Sequence, residues 1–239
     1  MNQGICKICG QTKPLIDAHI IPMSFFREFG EVPKQYSTKA NEYPRLTRRG
    51  IYDSNCWCMD CEQLFKDYDD HAALLLKLPQ PKFVGDKTLR VQVDYQLMKL
   101  FFVSVLWRAH LSGVRFYDKV SVGDFHAARL REMVLNRDAG GVEEYSTWMF
   151  QFNIGDERDS ALPPHPVRVI RVLCYRFFIV GFTWVTKVDS RPTPEIYRGI
   201  IMRPNEPLQV RRMDWQTSQE RSLLLGAVQN TTESRNTTA

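Results

Sequence analysis

Two short motifs decide the fold of this 239-residue chain: CKIC at residues 6–9 and CMDC at residues 58–61. Each motif offers two thiolates from one tight turn, and two such pairs provide the four soft ligands that Zn²⁺ holds in a tetrahedron. Gly10, which directly follows the first motif, relieves the turn that lets backbone amides face the sulfurs. We therefore predict a structural zinc ion that is bound by Cys6, Cys9, Cys58 and Cys61.

The compartment expected for the protein follows from its cysteines and from its apolar runs. No early apolar run resembles a signal peptide, and the apolar stretch at 177–185 is shorter than the roughly 20 residues of a membrane helix. We therefore expect a cytoplasmic protein with no membrane partner, whose six cysteines are metal ligands or buried thiols rather than disulfides. The tight turn of one C-x-x-C motif is called a knuckle. Cys56, one residue from Cys58, fits a knuckle poorly and should pack near the site. Cys174 should be a small buried side chain.

The pattern along the chain predicts an α+β fold in two parts and a tail. Residues 1–80 form the zinc module with an insertion at 30–50, and Pro79 and Pro81 mark its end. Residues 81–228 form an α+β domain, and the polar residues 229–239 are expected to be disordered.

The predicted elements follow from apolar periodicity and from β-branched and aromatic runs. A helix is expected at 62–78, and a helical pair at about 95–111 and about 124–135, the latter with Asp124 as its N-cap. An antiparallel sheet is expected over about 145–215, with a strand at 196–202 and turns at Pro163-Pro164, at 189–194 and at 204–207.

The net charge of +5 is unevenly distributed. Residues 165–212 hold nine basic and three acidic residues, and a local excess of this kind attracts phosphates, with a solvated sheet face as the alternative. The insertion at 30–50 is also rich in basic residues, and its cations are candidate nucleic-acid contacts. These candidates are Lys39, Arg45, Arg48 and Arg49. A flexible solvated insertion is the alternative interpretation of the same residues.

Between the two knuckles lies the segment AHIIP at 18–22. A zinc knuckle, then a strand that ends in this segment, then a second knuckle that opens a helix resembles the HNH endonuclease (ββα-metal) superfamily. With Asp53, Glu62, Phe65 and Asp69 added, the chain is more closely similar to a group of bacterial HNH-like zinc-finger proteins that are mostly uncharacterised. The specific part of the resemblance covers residues 6 to about 70 and implies a module of the treble-clef type.

The resemblance also implies a chemistry. His19 would be the general base that activates a water molecule for attack on a phosphodiester, and a Mg²⁺ or Mn²⁺ ion would stabilise the charge on the scissile phosphate. Glu62, directly after the last knuckle cysteine, would bind that ion. Asp53, or Asn55, is the nearest counterpart of the residue that steadies the histidine. The chain departs from the superfamily at Ala18, where an Asp or His ligand is usual.

Other interpretations of these residues stay open. His19 could be a core histidine bonded to the backbone, Glu62 could favour the helix N-terminus through the helix dipole, and Asp69 could belong to a structural polar helix face. The leading hypothesis is a metal-dependent, DNA-directed endonuclease, or a descendant of one, with DNA as the expected partner and RNA as a further candidate partner. Its rivals are a non-catalytic zinc module that binds nucleic acid or a protein partner, and a purely structural interaction protein.

Overall fold

The computed structural model of the chain describes residues 3–27, 34–35, 45–46, 51–78, 88–153, 160–179 and 181–226. The first part contains two small two-stranded sheets, of which the first is a hairpin. Strand β1 (Gln3–Ile5) pairs with β2 (Thr12–Pro14), and β3 (Ala18–His19) pairs with β6 (Tyr52–Asp53). The short helix α1 (Ser24–Arg27) follows β3.

The helical run after the second knuckle begins earlier than predicted and is segmented. It consists of α2 (Met59–Glu62), a 3₁₀ turn at Gln63–Phe65, α3 (Lys66–Ala72) and a second 3₁₀ turn at Ala73–Lys77. Its start is set by Cys58, whose carbonyl accepts the first backbone bonds of the helix, from Cys61 and Glu62. The knuckle is thus itself the first turn of the helix.

The predicted helical pair lies where the periodicity placed it, as α4 (Tyr95–Leu111) and α5 (Asp124–Leu135). Asp94 is the N-cap of α4 and accepts a hydrogen bond from the backbone of Leu97 at 2.9 Å. The predicted N-cap of α5 is wrong. Gly123, at a positive φ of 77°, occupies that position, and Asp124 is the first helical residue, where its carboxylate still favours the positive end of the helix dipole.

The large sheet is mixed rather than antiparallel, which corrects the prediction. Its order is β5-β4-β9-β10-β11-β8-β12-β7, in which β12 runs parallel to β8 and β4 parallel to β9. A crossover after β11 brings the chain back into the sheet beside β8, and this return makes β12 parallel to it. The bounds are β4 Lys34–Gln35, β5 Arg45–Leu46, β7 Thr88–Val91, β8 Thr147–Phe152, β9 Ser160–Val169, β10 Val172–Ile179, β11 Phe182–Lys187 and β12 Leu208–Met213.

Two local predictions in the sheet region are wrong. Pro163 and Pro164 lie inside β9 instead of forming a turn. The pairing of β9 with β10 shifts register between Arg176 and Phe178, opposite the two prolines, and an irregularity of this kind tolerates residues that lack an N–H. The strand expected at 196–202 is the short helix α6 (Glu195–Arg198), because its aromatic residue Tyr197 packs flat on Trp148 at 4.7 Å rather than pairing in the sheet.

The described residues before 79 that carry the two cysteine motifs, at 3–27 and 51–78, are called the cysteine-rich part. One continuous cluster of buried side chains joins this part to α4, α5 and one face of the sheet. Phe25 stacks on Phe101 at 5.7 Å, and Phe65 meets Trp107 edge to face at 6.4 Å. A second cluster covers the other face of the sheet, beneath α6 and the helical segment 219–226. The boundary expected near residue 80 and the tail at 229–239 lie outside the described residues.

Helix α4 has 17 residues and carries buried side chains along most of its length. Among the described residues, no helix combines the length and the apolar character that a membrane crossing requires.

Candidate metal centre

The four predicted cysteines come together in space. One ligand atom from each of Cys6, Cys9, Cys58 and Cys61 lies within 4.8 Å of the others, and the sulfurs of Cys6 and Cys61 are 3.6 Å apart. Three of the four side chains are buried, and Cys9 is exposed. This cluster has the ligand number and the spacing that a structural metal ion needs, so it could hold one.

Each pair of cysteines belongs to a tight turn. In the first, Gly10 has a φ of 73° and its N–H donates to the carbonyl of Cys6 at 2.8 Å, while the N–H of Cys6 donates to Gln11 at 2.9 Å. In the second, the N–H groups of Cys61 and Glu62 both donate to the carbonyl of Cys58 at 3.1 Å. The left-handed conformation of Gly10 is the reason why glycine is suited to this position.

Backbone hydrogen bonds hold the two knuckles together independently of any metal. The N–H of Lys7 donates to the carbonyl of Cys56 at 2.9 Å, and the N–H of Ile16 donates to the carbonyl of Trp57 at 3.1 Å. Leu15 forms an isolated antiparallel bridge with Cys58. The sulfurs are therefore brought close by main-chain pairing across about 50 residues of sequence.

The pKa values of two thiols in the cluster, Cys6 and Cys61, are shifted in opposite directions. Burial by itself raises the pKa of Cys6, but hydrogen bonds from the backbone at Cys9, Cys58 and Ile8 lower it to about 6. Burial and the neighbouring thiols raise the pKa of Cys61. Several thiolates in one buried cluster repel each other, and a divalent cation relieves that repulsion.

Cys56 lies beside the cluster and is not part of it. Its thiol is buried and faces the carboxylate of Asp53 at 3.2 Å and the carbonyl of Leu111 at 3.5 Å. Burial, reinforced by the negative charge of Asp53, raises the pKa of Cys56 to about 12. The thiol is thus a packed, protonated neighbour of the site, as the sequence analysis expected.

His19 lies on β3, opposite Tyr52 of β6, and its ring centroid is 5.9 Å from that of Tyr52. Its side chain is partly buried, whereas Ala18 is fully buried, in keeping with the alternation of a strand. The carbonyl of His19 accepts a hydrogen bond from Arg108 at 3.3 Å. The strand is thereby attached to α4 as well as to β6.

Arg108 is a fully buried guanidinium that connects three elements. It donates to both carboxylate oxygens of Asp69 on α3, at 2.7 and 2.9 Å, and its NH2 group also donates to the hydroxyl of Ser104 at 3.2 Å. Its charged carbon lies 4.5 Å from the ring centre of Phe65. Asp69, for which a structural polar helix face was one interpretation, is therefore the partner of an arginine.

The position of Glu62 is fixed by an aromatic neighbour. The indole N–H of Trp57 donates to one of its carboxylate oxygens. Glu62 also lies close enough to Asp69 for its charge to raise the pKa of that carboxyl, which burial raises more strongly and Arg108 lowers. A chain of contacts thus runs from the backbone of His19 through Arg108 and Asp69 towards Glu62.

Asp53 is buried and accepts four hydrogen bonds. The donors are the N–H groups of Asn55 at 2.8 Å and Gly113 at 2.7 Å, the hydroxyl of Ser112 at 3.0 Å, and the thiol of Cys56. Burial raises its pKa, but the hydrogen bonds outweigh burial and lower it. Asp53 therefore joins the turn after β6 to the end of α4, and its assignment as a catalytic residue stays a prediction.

The predicted nucleic-acid contacts are not assembled by the described part of the chain. Lys39, Arg48 and Arg49 lie outside the described residues, and for Arg45 only the backbone, in β5, is described.

Two partnerships of buried groups were not identified from the sequence. These are the pairing of Arg108 with Asp69 and the bonds from Asp53 to the end of α4. A signal for the first was available: an arginine within the apolar run of α4 must find a partner, because an unpaired buried charge is very costly.

Comparisons of this chain with protein-family models, with curated proteins and with solved structures gave no match.

Proposed function

We propose that this chain is an HNH-like, metal-dependent endonuclease that cleaves phosphodiester bonds of DNA, with RNA as a further substrate. One observation supports the proposal above the others. The four-cysteine cluster and the backbone bonds of Leu15 and Ile16 join the segment just before β3, which carries His19, to the start of α2, which carries Glu62. A general base and an acidic ligand on two rigidly connected elements are what metal-assisted hydrolysis requires.

In this proposal the four cysteines hold a structural Zn²⁺ ion. An all-thiolate set of four ligands favours zinc over the hard cations Mg²⁺ and Ca²⁺, which prefer oxygen. The ion would be structural rather than catalytic because all four positions are taken by protein ligands, which leaves none for a water molecule or a substrate.

His19 would accept the proton of the attacking water through its imidazole, and Glu62 would bind Mg²⁺ or Mn²⁺ through a carboxylate oxygen. The ion, when bound, would supply charge stabilisation at the scissile phosphate. Arg108 would act as a positioning residue, because it holds the backbone of His19 and does not itself reach the substrate in this scheme.

A nuclease assay tests the proposal. Purified protein with Mg²⁺ or Mn²⁺ should nick plasmid DNA, and His19→Ala should lower the rate by roughly 10²–10⁴-fold, the contribution of a general base. His71→Gln is a matched control that removes an imidazole outside the site, and it should keep activity. Failure of the wild-type protein to cleave either DNA or RNA with both ions would end the enzymatic proposal.

A non-catalytic zinc module that binds nucleic acid is the second candidate, and a specific observation favours it. Ala18 is fully buried at a position where the superfamily has a metal ligand, and Asp69 is bonded on both oxygens by Arg108. This candidate expects salt-dependent binding of DNA without cleavage and no effect of His19→Ala. Charge reversal at Arg48 and Arg49 should then abolish binding, whereas a purely structural interaction protein would be indifferent to that change.

A further inference from the structure

A cleft of about 900 Å³ lies in the C-terminal part of the molecule, between α5, the segment 143–145 and the loop that follows β11. Small-molecule sites have volumes of roughly 300–1,000 Å³. No lining residue comes from the cysteine-rich part, so the cleft is separate from the candidate metal centre. The lining residues are Phe125, His126, Ala128, Arg129, Glu132, Glu143, Glu144, Tyr145, Lys187, Asp189, Ser190, Arg191, Pro192 and Arg198.

One wall of the cleft is aromatic. The side chain of Phe125, in the first turn of α5, is 80% exposed and so takes no part in the core. Its ring lies 5.3 Å from that of His126, which in turn lies 5.6 Å from the ring of Tyr145, both edge to face. Tyr145 is itself only 5% exposed and supports the other two rings from the core, so a flat or cationic ligand would pack on the rings of Phe125 and His126.

The aromatic wall is uncharged at neutral pH. The Nδ1 atom of His126 and the hydroxyl of Tyr145 are hydrogen-bonded at 2.9 Å. Burial lowers the pKa of His126 and raises that of Tyr145 to about 12. Tyr145 also has a φ of 47°, an uncommon conformation for a residue with a side chain, and strain of this kind clusters at binding sites.

The basic side chains of the cleft are already neutralised. Each of the four is paired with a carboxylate: Arg129 with Glu144 at 2.7 Å, Lys187 with Glu143 at 3.5 Å, Arg191 with Asp189 at 2.8 Å, and Arg198 with Glu195 at 2.7 Å. Arg129 additionally reaches Asp138 at 3.2 Å. The lining itself carries four carboxylates and four cations, so the pairs leave the cleft without a net positive charge.

Two carboxylates of the cleft, Glu143 and Glu132, can still accept hydrogen bonds from a ligand. All three donors that contact Glu143 from the described residues bind its Oε2 atom, at 2.6 to 3.5 Å, and its side chain is 51% exposed. Hydrogen bonds from Thr193 lower its pKa, so it stays ionised. Glu132 is 60% exposed and is held only by a long 3.5 Å contact with Arg129. Glu132 also lies seven residues after Phe125, on the same face of α5.

We propose that this cleft binds a small organic cation, whose ammonium group is held by the carboxylates of Glu132 and Glu143 and whose apolar body packs on Phe125 and His126. The uncharged rings, the two glutamates that can still accept hydrogen bonds and the paired state of every lining cation favour a cationic ligand over an anionic one. The site does not depend on what the cysteine-rich part does.

Calorimetric titration with three probes of the same shape tests the proposal. Benzylammonium should bind at least about tenfold more tightly than benzyl alcohol, and benzoate should bind most weakly, since a tenfold ratio corresponds to one modest charge interaction. Glu132→Gln and Glu143→Gln should each weaken benzylammonium binding several-fold, and Phe125→Ala should weaken all binding. Glu206→Gln, the same charge change outside the cleft, should have no effect.

Three results would overturn the proposal. These are no binding of benzylammonium at millimolar concentration, benzoate binding as tightly as benzylammonium, or equal benzylammonium affinity in Glu132→Gln, Glu143→Gln and Glu206→Gln. The altered glutamates are exposed, so the variants should fold, and their unfolding temperatures verify this in the same samples. The nuclease assay plays no part, so its outcome leaves this test unchanged.

Discussion

Arg108 shows how one buried charge can join several elements. Its guanidinium binds Asp69 on α3 through two bonds, holds the backbone of His19 on β3, and stacks over Phe65. A buried ion pair contributes little net stability compared with apolar side chains, but loss of one partner leaves the other unpaired in the interior. The pair therefore specifies how α4 docks onto the cysteine-rich part.

Replacement of Arg108 by alanine should lower the free energy of unfolding by about 3–5 kcal/mol, because Asp69 then loses its buried partner. The double change Arg108→Met and Asp69→Leu should recover most of this loss. Chemical denaturation measures all variants, and Arg90→Ala on the exposed edge of β7 is the control, with an expected change of at most about 0.5 kcal/mol. A small effect of Arg108→Ala would show that the pair does not organise the docking.

A second buried cation, Lys99, should make stability depend on pH. Its ammonium group is nearly fully buried on α4 and donates to the carbonyl of Glu144 at 2.7 Å. Burial lowers its pKa from 10.5 to about 7, although the carboxylate of Glu144 opposes this shift. Between these two values the unfolded chain binds a proton that the folded chain does not, so stability should rise with pH across that window.

Lys99→Met removes this titration and serves as the reference. The free energy of unfolding of the wild type, minus that of Lys99→Met, should increase by a few kcal/mol between pH 7 and pH 10, since one pKa unit corresponds to about 1.4 kcal/mol. Groups common to both proteins cancel in the difference. Urea denaturation at several pH values measures it, and a flat difference would mean that Lys99 stays charged in the folded protein.

At the scale of elements, the second knuckle determines where the first long helical run begins. Cys58 is the N-cap of α2, and the backbone bonds to its carbonyl form both the knuckle and the first helical turn. A metal ion bound to Cys58 and Cys61 would therefore fix the start of the helix and, through the bonds of Lys7 and Ile16, the first hairpin. Metal binding and the order of these elements should be coupled.

Elemental analysis should find about one zinc ion per chain in the wild type, and Cys58→Ser or Cys9→Ser should lose it, because each removes one of four ligands. Chelation should lower the unfolding temperature of the wild type. Cys56→Ser is the matched control, since that buried thiol lies beside the cluster and outside it. Equal zinc content in Cys56→Ser and Cys58→Ser, or no metal in the wild type, would contradict the four-cysteine site.

At the scale of the whole molecule, the cysteine-rich part and the helical pair share one core. The rings of Phe25, Phe65 and Tyr68 pack against α4 and α5, and the hydroxyl of Tyr68 donates to the carbonyl of Val134 at 3.1 Å. Because these aromatic side chains would be exposed without their partners, we expect the two parts to unfold together.

A fragment of residues 1–80 with zinc should therefore lack a cooperative unfolding transition, while the whole chain should show one main transition in calorimetry. Removal of α4 exposes the shared aromatic side chains and leaves Asp69 without Arg108. Proton NMR dispersion of the fragment gives an independent readout. A well-dispersed spectrum and a sharp transition for the fragment would establish the zinc module as an independent domain.

Periodicity and turn chemistry were sufficient for the elements that depend on local sequence. The bounds of α4 and α5 follow from their apolar spacing, and the four-cysteine cluster follows from two C-x-x-C motifs. Where neighbours decide, local patterns were misleading. Aromatic and β-branched residues at 196–202 predicted a strand, but the segment begins with the helix α6. Tyr197 of this helix stacks on Trp148 of the sheet, a contact with a distant residue that the local pattern cannot reveal.

The sequence by itself determined which four thiols form the cluster, because each knuckle is a local turn and the C-x-x-C spacing places two thiols on that turn. Only the tertiary structure decided that Asp69 binds Arg108 and that Asp53 binds the end of α4. It also decided that the sheet is mixed. The physical reason is the same in each case. The partner of a buried carboxylate or of a strand edge is determined by which elements pack against it. Arg108 is 39 residues from Asp69 along the chain, and Gly113 is 60 residues from Asp53, so local sequence does not identify either partner.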